Sequence, residues 1–82
     1  MIIKQPVTTE KAMRLMEAEN TLVFVVDAKA VKADVRREVE DVFGVKVVRV
    51  NTVNGHDGKK RAFVKFGPES PAIDVATKLG MM

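Results

Sequence analysis

Six bases, Lys46, Arg49, Lys59, Lys60, Arg61 and Lys65, fall between Gly44 and Phe66, against one acid, Asp57. Three of them are consecutive, Lys59-Lys60-Arg61, and follow the polar turn Asn54-Gly55-His56-Asp57-Gly58 at the head of Ala62-Phe63-Val64-Lys65-Phe66. A basic hairpin of this kind is chemistry for gripping a polyanion. The field is local. Residues 1–43 carry seven bases and eight acids, and residues 67–82 carry one base and two acids.

Other chemistry has little to work with. The single histidine, His56, sits in the turn with no second histidine and no cysteine in the chain, so a nitrogen- or sulfur-rich metal cage has no ligands. The glycines at 44, 55, 58, 67 and 80 are dispersed and form no phosphate-cradling loop. Glu38, Glu40 and Asp41 are expected on the solvated face of a helix, paired with neighbouring bases. No enzyme, cofactor or metal is expected.

The elements that must position the basic hairpin follow from composition and pattern. At 82 residues and 46% hydrophobic, the chain suits one domain over residues 1–82, since a chain this short buries only about 60% of its unfolded surface. The lack of cysteine points to the cytoplasm. No run approaches a membrane span, and the start Met1-Ile2-Ile3-Lys4-Gln5-Pro6 lacks the long apolar region of a signal peptide. A pI near 9.5 and a net charge of +3 suit nucleic acid or an anionic surface.

Ile2-Ile3 begins an edge strand that Pro6 ends. Thr8 or Thr9 caps a first helix running to about Met16, with Ala12, Met13 and Met16 as its apolar stripe. The continuous run Thr21 to Val26 reads as a central strand covered on most of both faces. Val31, Val35, Val39, Val42 and Phe43 mark the core stripe of a second helix that Gly44 stops. Strands over Val45–Val53 and Arg61–Phe66 follow, and Ser70-Pro71 opens a last helix ending at Gly80. Met81 and Met82 are terminal and expected to be mobile. The fold class is α+β: a small two- or three-layer domain with an antiparallel or mixed sheet of about four strands and packed helices.

Two resemblances bear on the hairpin. Lys59 to Phe66 is similar to the RNA-recognition-motif signature at six of eight positions, departing at Lys60 and Arg61, where glycine and an aromatic are wanted. That motif also needs a strand after its last helix, which this chain is not expected to supply. It leaves an alternative: a small α/β interaction domain whose basic hairpin binds single-stranded RNA or an acidic protein.

The other resemblance spans nearly the whole chain. Pro6-Val7-Thr8-Thr9-Glu10-Lys11-Ala12, Asn20 to Val26, Lys32-Ala33-Asp34-Val35, Val42-Phe43-Gly44-Val45, Val50-Asn51-Thr52 and Lys59-Lys60-Arg61-Ala62-Phe63-Val64 together resemble the family of large-subunit ribosomal protein twenty-three, in its short archaeal-type form. The resemblance implies a structural constituent of the large ribosomal subunit that binds large-subunit ribosomal RNA near the polypeptide exit tunnel. It also implies neighbouring ribosomal proteins as partners, and docking of the signal-recognition particle or nascent-chain-associated factors. Two departures stand out: Val31 replaces a capping Ser or Thr ahead of the second helix, and Arg61 replaces a lysine, keeping the charge and adding a fork for bidentate phosphate contact.

On that reading Lys59, Lys60 and Arg61 neutralise phosphates, with Asn54 and His56 as hydrogen-bonding tips and Asn51 at the strand end. Lys4, Thr9, Lys11, Lys29 and Lys32 extend the RNA-binding surface, and Glu10 is the partner-docking acid. The turn from Asn54 to Lys60 is expected to be mobile alone and to order on RNA.

Overall fold

In chain order the elements are β1 (Ile3–Pro6), α1 (Glu10–Glu19), β2 (Thr21–Val26), α2 (Lys32–Phe43), β3 (Val47–Asn54), β4 (Lys60–Phe66) and α3 (Ala72–Lys78). The computed structural model describes residues 2–55 and 57–78. His56, Gly80, Met81 and Met82, on which expectations were placed, lie outside the described residues. The strands form one sheet in the order β1-β2-β4-β3, every neighbouring pair antiparallel. The α+β class is as expected, and the sheet is antiparallel rather than mixed.

The two central strands build the core. Leu22, Phe24 and Val26 of β2 and Ala62, Val64 and Phe66 of β4 point to one face, where Val35 and Val39 of α2, Val75 and Ala76 of α3, and Met16 of α1 close over them. Burying a side chain such as Phe24 or Leu22 contributes about 1.5–3 kcal/mol over leaving it exposed, so this face holds most of the fold's stability. Phe24 also stacks on Phe43, ring centroids 6.5 Å apart. All six residues of β2 are buried, as a continuous apolar run requires.

The predicted stripe of α2 holds at Val35, Val39 and Phe43 and fails at Val31 and Val42. Val31 lies before the helix in an extended conformation and Val42 near its end, and both are about half exposed. Phe43 takes the place against Phe24, while Val42 borders a surface groove with Ile2 and Asp41. The missing capping hydroxyl at Val31 is a fact of the fold: no side chain there bonds the helix start. Gly44 ends α2 at φ +63°, a left-handed backbone that glycine adopts without strain, and its amide donates to the Glu40 carbonyl at 3.0 Å.

Glu40 pairs with Arg36 at 3.7 Å as expected, but Glu38 and Glu40 also bond backbone amides, which was not expected. The Glu38 carboxylate accepts from the Ile2 amide at 3.2 Å and the Ile3 amide at 2.8 Å, and Glu40 accepts from the Val47 amide at 3.1 Å. They anchor the first residues of the two edge strands to α2. Asn20 does similar work elsewhere. It closes α1 at φ 52°, its Nδ2 donates to the carbonyls of Phe66, Gly67 and Ser70, and its Oδ1 accepts from the Ala72 amide at the start of α3. The carboxamide thus organises the connection from β4 to α3.

Candidate nucleic-acid interface

Side chains alternate faces along a strand, so the core-facing residues of β4 leave Arg61, Phe63 and Lys65 on the opposite side of the sheet. Register extends this outward face into three rows. Val25, Arg61 and Val53 form one; Val23, Phe63 and Asn51 the next; Thr21, Lys65 and Arg49 the third. Phe63 therefore sits at the centre of the face, half-buried, with a base two residues away on either side along β4 and Asn51 opposite. Arg49 and Lys65 oppose each other directly, and like charges so placed weaken strand pairing. Among the described residues neither belongs to an ion pair.

One end of this face is walled. The segment after β1 and the first turns of α1 stand over β2 and β4 and enclose a cleft of about 420 Å³. Val23, Val25 and Phe63 supply apolar floor, Lys11, Lys59 and Arg61 supply positive charge, and Asp57 adds one carboxylate. Thr9 lines the cleft and also caps α1, its Oγ1 accepting from the Ala12 amide at 3.3 Å. Such a site can hold phosphate oxygens and cover a flat ring.

The turn leading into β4 is closed on itself. Gly55 donates to the Lys59 carbonyl at 2.8 Å, Gly58 to the Gly55 carbonyl at 3.2 Å, and the Lys59 amide to Asp57 Oδ1 at 3.1 Å. Arg61 Nη2 donates to Asp57 Oδ2 at 3.3 Å. The Lys59 amide pulls the Asp57 carboxyl below its usual range, desolvation opposes, and the charge of Arg61 adds to the lowering. These bonds link the described residues of the turn to one another.

The anticipated residues separate into groups. Thr9, Lys11, Lys59 and Arg61 meet in the cleft, and Lys4 borders a neighbouring depression with Lys59. Asn51 is exposed on the outward face, and Asn54 is exposed at the end of β3, paired with Lys60. Lys60 points the other way: its Nζ donates to the Ala30 carbonyl at 2.6 Å, on the helix side of the sheet. Lys29 and Lys32 are exposed in the segment leading into α2 and do not line the cleft. Glu10 is exposed in the first turn of α1, 3.6 Å from Arg14. Arg49, Phe63 and Lys65 were not singled out as site residues from sequence. Their period-two spacing along β3 and β4 is the signal that would have found them.

Among the described residues no group of His, Asp or Glu could hold a metal ion, and no helix is long and apolar enough to cross a membrane. A family model described as Ribosomal protein L23 matches residues 1–75, from before β1 to within α3.

Proposed function

The chain belongs to the ribosomal protein L23 family, a structural family of the large ribosomal subunit, and on that premise we propose that it binds large-subunit ribosomal RNA through the outward face of its sheet. The opposed pair Arg49 and Lys65 carries this reading. Two cations facing each other across strands are unfavourable in the free protein and favourable once a phosphate lies between them. Lys11, Lys59 and Arg61 continue the same positive surface into the cleft. The role is structural, with no reaction at the site.

Family membership supports a finer setting within the proposal. The bound RNA lies near the polypeptide exit tunnel of the cytoplasmic ribosome, with other ribosomal proteins alongside. Glu10, exposed at the start of α1, docks the signal-recognition particle or a nascent-chain factor through its basic segments. Crosslinking of the assembled subunit tests the RNA face. Crosslinks from Arg49, Lys65 and Lys59 to ribosomal RNA are expected; crosslinks to protein alone at these positions would favour the alternative of a hairpin that binds an acidic protein.

A further inference from the structure

A face that met only the phosphates of a paired helix would need cations and hydrogen-bond donors and nothing apolar. This face has more. Phe63 lies at its centre, half-buried and continuous with buried Val23 and Val25. Around that apolar floor, Lys11, Lys59 and Arg61 line the cleft, while Lys65 and Arg49 occupy the next row. Asn51, directly opposite Phe63 on β3, is exposed and presents both donor and acceptor beside the ring. A flat apolar surface bordered by three cations and the single acid Asp57, with an amide at its edge, matches the three parts of one unpaired nucleotide: a ring to stack, a base edge to hydrogen-bond, and a phosphate. The α1 wall on one side makes a cleft in place of a flat platform. A base inside a duplex shows neither ring face to such a site.

We propose that the cleft beside Phe63 takes an extruded, unpaired nucleotide, its base stacked on the Phe63 ring, its edge on Asn51 and its phosphate between Arg61 and Lys59. The inference rests on the RNA-binding reading and adds to it a single-nucleotide site. Arg61 is held at the cleft by Asp57 in the free chain, so its guanidinium is already oriented for the phosphate.

The test uses the full-length chain and two RNA hairpins of the same stem, one fully paired and one with a single bulged adenosine. Wild-type protein is expected to prefer the bulged hairpin by about tenfold, within the range a stacked base contributes. Phe63→Leu, which keeps an apolar floor without a ring, should bind the two hairpins equally. Phe63→Tyr should keep the preference, and melting curves of both variants establish that they fold. Equal wild-type affinity for the two hairpins, or a preference that survives in Phe63→Leu, overturns the nucleotide site while leaving the RNA-binding face standing. Failure of the wild-type protein to bind either hairpin would overturn both.

Discussion

Arg49 on β3 and Lys65 on β4 are register partners, so two cations stand side by side on the outward face of the sheet. Sheets ordinarily place opposite charges or apolar pairs at such positions, because like charges there cost stability. A pair that is unfavourable alone and favourable with an anion makes stability and binding respond oppositely to the same substitution.

Lys65→Thr should therefore leave the free protein as stable as wild type or more stable by up to about 1 kcal/mol, since it removes the repulsion and keeps β propensity. The same change should weaken RNA binding and flatten its salt dependence by roughly 0.7 to 0.9 of a log-log unit, the loss of one phosphate contact. Thermal melts without RNA and a salt titration with it measure the two arms. A variant that melts lower and binds RNA as before would show that the pair serves the fold.

The hairpin bases should divide in the same way. Replacing Lys59 and Arg61 by Ala should lower the salt slope by roughly 1.4 to 1.8, two contacts' worth. Adding Lys60→Ala should leave the slope where it is, because the Lys60 ammonium bonds the Ala30 carbonyl. Lys60→Ala alone should instead cost about 1 kcal/mol of stability, read by chemical denaturation, as that carbonyl loses a charged donor.

Asn20→Ala should be among the more damaging single changes, at about 2 kcal/mol or more, because four hydrogen bonds in one connection are lost and a left-handed backbone position receives alanine. Asn20→Gly removes the backbone strain and not the lost bonds. It should recover only part of the stability, and full recovery would mean that the strain alone is what Asn20 resolves.

The Asp57 turn should respond to acid. Its folded carboxyl is more acidic than the ordinary value of 3.8, so its stabilising contribution is complete above that value and is lost as pH falls through the lower, folded one. The Lys59 amide resonance, followed by NMR, should hold its position from neutral pH down to the ordinary carboxylate range and shift only below it. In Asp57→Asn that low-pH step should vanish. A wild-type amide that moves between neutral pH and 5 would point to a different group.

Glu10 offers a separate surface. Its pair with Arg14 is almost fully exposed, so Glu10→Lys should change stability by no more than about 0.5 kcal/mol. Ribosomes carrying the variant should retain less signal-recognition or nascent-chain factor on co-sedimentation, with ribosomal RNA affinity the same or slightly higher. Undiminished factor binding would leave Glu10 with its helix-end role alone.

Local pattern was enough to determine much of this protein. The edge strand at Ile3, the covered run of β2, a cap at Thr8 or Thr9, the Gly44 stop and the basic hairpin are all legible in the sequence, because each depends on residues a few positions apart. The family was legible too, in the order of its motifs. The tertiary structure alone decided which way the bases point. Lys59, Lys60 and Arg61 are adjacent in sequence, yet alternation along β4 sends Arg61 to the outward face and Lys60 to the Ala30 carbonyl, and the face each side takes depends on where the helices pack. The pairing of Arg49 with Lys65 rests on register, and Asn20 reaches α3 only because the end of α1 and the β4 to α3 connection meet in space. Glu38 and Glu40 looked like solvated charges for the same reason: their partners, the amides of Ile2, Ile3 and Val47, are brought to them by strand placement. Contacts between residues far apart along the chain leave no periodic trace in it, so chemistry that depends on them became visible only once the chain was folded.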